Sequence, residues 1–231
     1  MAGREQRLRV LICDVDGTLV DSAEGVVQAV KAACAAVGVP MPSAALVRAQ
    51  IGLSLDVMFA RLDIRGYARH RDALLSAYRD AYYRARAEHG ARDHSPLFPG
   101  VMDLLRRLAA EPWTLLALAT GKSRRGVDAL VAAHGLDGLF ASIQTADRHP
   151  SKPDPAMIHA VLRETGADPG DAVMLGDTIY DVEMARRAGV ASIGVGWGYH
   201  PLTDLRADRA VGRFDEVEAA FDALTRDGVR S

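Results

Sequence analysis

Two carboxylates and a glycine follow a short apolar run near the start of the chain. The run is residues 10–13, and Asp14, Asp16 and Gly17 come directly after it. It has no helical stripe, which is typical of a strand buried on both faces. Because side chains two residues apart on a strand point the same way, we expect both carboxylates in one crevice. Two neighbouring buried carboxylates need a cation or a shared proton to offset their repulsion. The alternative interpretation of these residues is a surface turn, in which Asp and Gly are common.

The other candidate residues each follow a predicted strand: Thr120, Gly121, Lys152, Asp177 and Asp181. Because the carboxyl ends of parallel strands meet at one edge of a sheet, we expect these side chains to converge there with the first two acids. Oxygen ligands of this kind suit Mg²⁺, which takes one or two carboxylates together with a phosphate oxygen. Taken singly, each residue could be a helix cap, a helix-dipole partner or a solvated charge. Their joint placement favours a functional site.

The order of the predicted elements indicates the scaffold that would hold these residues. Helical patterns without a convincing strand fill residues 23–95, and helices then alternate with strands as far as residue 226. The predicted strands are 10–13, 114–119, 141–145, 172–176 and 191–195. This alternation predicts an α/β fold with a doubly wound parallel sheet, a Rossmann-like core. We therefore predict a core domain of residues 1–22 and 96–231 with an inserted all-helical cap domain, residues 23–95.

Composition limits the classes of function. The 231 residues carry a formal net charge of -2, which argues against nucleic acid or an anionic membrane as a partner. Two cysteines cannot make a disulfide framework, and the seven histidines include no pair at helical zinc spacing. We find no secretory or membrane-spanning segment and expect a cytoplasmic protein, either a monomer or a homodimer. Lys31, Lys122 and Lys152 are the only lysines in an arginine-rich chain, so each is worth checking.

In this order, the motifs resemble those of the haloacid dehalogenase superfamily, specifically its phosphatases with a helical cap. They are DVDGT at 14–18, the Thr of ATG at position 120, KPDP at 152–155 and GDTIYD at 176–181. The resemblance spans nearly the whole chain and includes an insertion just after the first motif, where such a cap belongs.

The resemblance implies a phosphomonoester hydrolase that uses Mg²⁺ and an aspartyl-phosphate intermediate. In that scheme Asp14 attacks the phosphorus, and Asp16 is the general acid and then the general base. The implied binding residues are Thr120, Gly121 and Lys152 for the phosphoryl group, and Asp14, Asp16, Asp177 and Asp181 for the metal. Asp16 would contribute its backbone carbonyl, and Asp181 would lie close by.

The cap loop offers a clue to the substrate. Residues 52–55 followed by Phe59 resemble the cap loop of phosphoglycolate phosphatases, although Ser54 stands where Pro is usual. We therefore expect a small phosphorylated metabolite similar to phosphoglycolate, with pyrophosphate, sugar phosphates and nucleotides left open. Arg48 and Arg61 are candidates for binding a second anionic group, with solvated helix residues as the alternative.

Other functions could use some of the same residues. A phosphoglucomutase-like phosphotransferase uses the same pair of acids and stays open. Dehalogenases and phosphonatases of the superfamily do not keep an Asp at the position of Asp16, so we favour a phosphatase. A signalling receiver domain lacks both this motif and the large insertion. An inactive scaffold is disfavoured because every motif residue is present.

Overall fold

The computed structural model describes residues 7–226 and contains a six-stranded parallel sheet. The strands are β1 Arg9–Cys13, β2 Thr114–Thr120, β3 Phe140–Thr145, β4 Ala172–Gly176, β5 Ala191–Val195 and β6 Arg209–Val211. Their spatial order is β3-β2-β1-β4-β5-β6, and all neighbours pair in parallel. Strands β2 and β3 lie on one side of β1, whereas β4, β5 and β6 lie on its other side. The strand order therefore switches direction at β1, and folds of this kind bind ligands at the carboxyl end of such a switch point.

Helices flank the sheet and fill the insertion. They are α1 Ala23–Val37, α2 Ala44–Arg48, α3 Leu55–Arg61, α4 Tyr67–His89, α5 Ala91–His94, α6 Val101–Ala109, α7 Arg124–His134, α8 Ala156–Thr165, α9 Ile179–Ala188, α10 Leu202–Leu205 and α11 Val217–Arg226. The predicted strands agree with β1 to β5 to within a residue or two at each end. The short elements α5, α10 and β6 were not predicted, because three or four residues hold too little periodicity to detect.

The first strand shows why its sequence lacks an amphipathic stripe. Leu11 and Cys13 pack in a core cluster on one face of the sheet, whereas Val10 and Ile12 pack in a separate cluster on the other face. All four side chains are fully buried. Both faces of β1 are thus covered, and the residues that follow it emerge at the sheet edge in a fixed position.

The insertion has an apolar core of its own. Val30, Phe59 and Leu74 are buried in a cluster formed almost entirely by residues between 23 and 82. No strand of the sheet comes from residues 23–95, all of which lie within the described range. The predicted doubly wound sheet with a helical insertion is therefore confirmed, and the domain boundaries at residues 22 and 95 stay a prediction.

Across residues 7–226, no helix is both long enough and apolar enough to cross a membrane.

Candidate active site

The carboxylates that follow β1 and β4 meet at the carboxyl edge of the sheet. Asp14 follows β1, Asp177 follows its neighbour β4, and Asp181 lies in the first turn of α9. One carboxylate oxygen from each lies within 4.8 Å of the others, and all three side chains are buried. The prediction that these acids converge is confirmed. A surface turn is excluded, because Asp14 is fully buried.

Lys152 is the cation in contact with these acids. Its Nζ lies 2.7 Å from Asp14 Oδ1 and 2.6 Å from Asp181 Oδ1, and the lysine side chain is inaccessible to solvent. Burial alone would favour the neutral amine, but the two carboxylates raise the pKa of Lys152 above its usual value. Lys152 therefore carries a charge and fixes two of the three acids.

The three acids together carry more negative charge than one ammonium can offset. Burial, opposed by Lys152 and reinforced by Asp181, raises the pKa of Asp14 to about 7. Burial and the neighbouring Asp181 and Asp14 carboxylates likewise raise the pKa of Asp177 well above its usual range. Asp14 Oδ2 is buried and has no hydrogen-bond partner among the described residues. A buried, unpartnered oxygen among excess carboxylates fits a divalent cation with oxygen ligands.

Asp177 is held from two sides. Thr18 Oγ1 donates a hydrogen bond of 2.8 Å to Asp177 Oδ1, and the Tyr199 backbone N–H donates one of 2.9 Å to Oδ2. A Cβ at Gly17 would lie 2.2 Å from Asp177 Oδ2, and one at Gly198 would lie 2.1 Å from Asp177 Cβ. Glycine at both positions is therefore required for the close packing around this carboxylate.

Asp181 combines a structural and an electrostatic role. It forms a capping box with Thr178 at the start of α9, in which Thr178 Oγ1 donates to Asp181 Oδ2 at 2.7 Å. The other oxygen accepts from Lys152. The expected helix-terminus role is thus present in the same side chain that faces the acid cluster.

The Asp16 side chain lies apart from the three-acid cluster. Asp16 Oδ1 accepts a 2.6 Å hydrogen bond from Ser22 Oγ and forms a 2.8 Å ion pair with Lys122 Nζ. Ser22 directly precedes α1, but its hydroxyl donates to Asp16 and makes no capping hydrogen bond to the helix. Lys122 was not predicted as a site residue, although its rarity as one of three lysines could have found it.

The β2 loop lies beneath the cap. Thr120 is fully buried, and its Oγ1 accepts a 3.2 Å hydrogen bond from the backbone N–H of Lys122. A Cβ at Gly121 would lie 2.4 Å from the Gly52 carbonyl oxygen, so the cap loop packs directly on this glycine. The Ser54 N–H also donates to Ser151 Oγ at 2.9 Å, beside Lys152. The cap loop thus contacts both predicted phosphoryl-binding segments.

A cavity lined by Asp16, Gly121 and Lys122 lies between the cap and the β2 loop. Neither of the two cap arginines proposed for a second anionic group lines it. The Arg48 guanidinium lies 3.4 Å from Glu24 on an exposed surface, and the Arg61 guanidinium lies over the Tyr180 ring. The alternative, that each belongs to the surface of a helix, describes them better.

A family model of haloacid dehalogenase-like hydrolases matches residues 11–195. A Dickeya dadantii protein named "Probable phosphatase IndB" is 36% identical to this chain, covering 94% of the chain and 95% of that protein. A Yersinia pestis phosphoglycolate phosphatase is 34% identical over a match that covers 84% of this chain and 83% of the Yersinia protein. The crystal structure of a predicted phosphoglycolate phosphatase from Haemophilus somnus superposes with a TM-score of 0.80 at 26% identity, covering 94% of this chain and 99% of that one.

These similarities cover all four motifs and the insertion between the first two. The prediction of a phosphatase of this superfamily is confirmed by the named relatives. The parallel sheet, the helical insertion and the acid cluster at the edge of β1 agree with it. The chain belongs to the haloacid dehalogenase-like hydrolases.

Proposed function

We propose that this hydrolase is a Mg²⁺-dependent phosphomonoesterase that acts on a small phosphorylated metabolite through an aspartyl-phosphate. The observation that carries the proposal is the buried cluster of Asp14, Asp177 and Asp181 with a single lysine in contact. Three buried carboxylates and one ammonium leave a negative excess, which a divalent cation would offset. The phosphoglycolate phosphatases among the relatives make 2-phosphoglycolate the reference compound.

Two acids divide the chemistry between them. Asp14 attacks the phosphorus, and the bond to the alcohol oxygen breaks as Asp16 donates a proton to that oxygen. Asp16 then accepts a proton from the water that attacks the aspartyl-phosphate, which releases inorganic phosphate and restores Asp14. Ser22 and Lys122 hold the Asp16 carboxyl group for both steps through their contacts with Oδ1.

The metal would be held by Asp14, Asp177 and the backbone carbonyl of Asp16, with Asp181 close by. When bound, Mg²⁺ would offset the charge of the acids and withdraw electron density from the phosphoryl oxygens. Thr18 and Tyr199 orient Asp177 for this role.

The remaining predicted residues bind the phosphoryl group. Lys152 offsets charge on the transferring oxygens from its position between Asp14 and Asp181. Thr120 and the backbone N–H groups around Gly121 donate hydrogen bonds from the loop that opens α7. Residues 23–95 form the cap that covers this site and excludes water. The two unpaired cysteines, Cys13 and Cys34, support a cytoplasmic location.

The test measures phosphate release from 4-nitrophenyl phosphate and from 2-phosphoglycolate. We expect EDTA to stop release, Mg²⁺ to restore it, and Asp177→Asn to raise the Mg²⁺ concentration required. Activity that is indifferent to chelation would refute the metal assignment. Release that requires an added sugar bisphosphate would indicate a phosphotransferase instead.

A further inference from the structure

A cavity of about 400 Å³ lies beside Asp16, between the cap and the β2 loop. Asp16, Gly121 and Lys122 line one part of it, whereas Asp14 does not line it. In the proposed function, on which this inference rests, Asp16 protonates the alcohol oxygen that leaves. The alcohol portion of the substrate must therefore occupy this cavity, and the cavity walls select it.

Tyrosines from α4 form one wall of the cavity. Tyr78, Tyr82 and Tyr83 all line it, and Leu53 and Met58 add aliphatic surface. The rings of Tyr78 and Tyr82 are nearly parallel, with centroids 5.8 Å apart and an interplanar angle of 19°. Phe59 packs edge-on against Tyr78 with centroids 5.7 Å apart. The aromatic wall is fixed by its neighbours, so little side-chain entropy is lost when a ligand packs on it.

Lys122, the cation beside Asp16 in the cavity, is already paired. Lys122 Nζ lies 2.8 Å from Asp16 Oδ1 and 3.3 Å from the Tyr82 hydroxyl. Asp56 accepts from both Arg71 and Tyr67 at 2.8 Å. A carboxylate on the alcohol portion would compete with Asp16 for Lys122, and Arg79 of α4 is a second cation in the cavity wall. A compact acid such as phosphoglycolate would leave most of the cavity unfilled.

We propose that the preferred substrates are phosphomonoesters whose alcohol carries a flat, unsaturated ring that packs against the Tyr78–Tyr82 wall. A flat ring buries apolar surface and can pack offset or edge-on against the tyrosine rings that line the cavity, which a saturated ring of similar size cannot do. The cavity volume admits such a ring together with its linking methylene.

The test compares kcat/KM for benzyl, cyclohexylmethyl and ethyl phosphates and for 2-phosphoglycolate, with Mg²⁺ present. We expect benzyl phosphate to exceed each of the others by roughly tenfold. The benzyl and cyclohexylmethyl alcohols have similar acidity, so this pair isolates ring flatness. Equal rates for that pair, or a preference for 2-phosphoglycolate, would overturn the inference and leave the proposed function intact. Failure to hydrolyse any ester would instead overturn the proposed function.

A pair of variants ties the preference to the wall. Tyr78→Leu should lower the ratio of benzyl to ethyl kcat/KM towards one. Tyr78→Phe, which keeps an aromatic ring at the same position of the wall, should keep the ratio of the wild type. A ratio that is unchanged in Tyr78→Leu, in protein shown to be folded by its thermal unfolding, would refute the assignment of the wall.

Discussion

Replacing Asp14 by Asn should abolish turnover and at the same time stabilise the metal-free protein. The amide has nearly the shape of the carboxyl group but cannot attack phosphorus, and it carries no charge. Asp14 is fully buried and its pKa is raised to about 7. The ionised carboxylate therefore lowers the free energy of unfolding of the protein. The variant removes that cost together with the nucleophile.

The size of the gain follows from the two pKa values. The rise in the pKa of Asp14 from 3.8 to about 7 means that the ionised carboxylate destabilises the folded protein by about 4 kcal/mol. Part of it is lost in the variant, because Lys152 keeps only its ion pair with Asp181 and the new amide lacks good partners. We expect a net increase of about 2 kcal/mol in the free energy of unfolding.

The direction of the pKa shift also predicts how the stability difference between variant and wild type changes with pH. A raised pKa in the folded state means that the unfolded chain releases the Asp14 proton first as pH rises. The cost is therefore absent below about pH 4, grows up to about pH 7 and is constant above it. The advantage of the variant over the wild type should follow the same course.

The assay is urea unfolding in EDTA at about pH 8 and about pH 4.5, beside phosphate release with Mg²⁺. Asp56→Asn is the control with opposite sign, because hydrogen bonds from Arg71 and Tyr67 lower the pKa of Asp56. It should not stabilise the protein at pH 8. A loss of stability in Asp14→Asn at pH 8, or a gain that is independent of pH, would refute the electrostatic reasoning. Substantial turnover would refute the nucleophile.

Three further substitutions test other parts of the site. Lys152→Met breaks two buried ion pairs, so we expect urea unfolding to show a loss of about 3–5 kcal/mol and turnover to cease; a fully stable variant would contradict this. Gly121→Ala places a Cβ 2.4 Å from a cap-loop carbonyl, and kcat/KM should fall at least tenfold, whereas Gly170→Ala, with nothing within 4 Å, should match the wild type. Thr18→Val removes the donor to Asp177, so the Mg²⁺ concentration for half-maximal activity should rise, and an unchanged titration would argue against that role.

Local pattern was enough to predict five of the six strands and the convergence of the acids at their carboxyl ends. The apolar run of β1 has no helical stripe, and this is visible in the sequence alone. The physical cause is that its residues alternate between two buried clusters. Once the strands are recognised, the rule that parallel strands present their carboxyl ends at one edge brings Asp14, Asp177 and Lys152 together. The confirmed convergence of the three acids depended on nothing else.

The contacts between the cap and the core could not be predicted in this way. Lys122 meets Asp16 across 106 positions of chain, and the Tyr82 hydroxyl meets Lys122 across 40. No periodicity links such residues, because their distance is set by how the insertion packs on the sheet rather than by the geometry of any one element. The same holds for Ser22, whose hydroxyl turns to Asp16 instead of capping α1.

The amino-acid sequence by itself thus determined the edge of the sheet where the acids meet, since strand periodicity and motif spacing are local properties of the chain. Only the tertiary structure decided which side chains line the cavity beside Asp16. Arg48 and Arg61 do not line this cavity, whereas three tyrosines and Arg79 of α4 do. The physical reason is that a cavity wall is formed by segments distant in sequence, whose relative positions depend on the packing of the whole core.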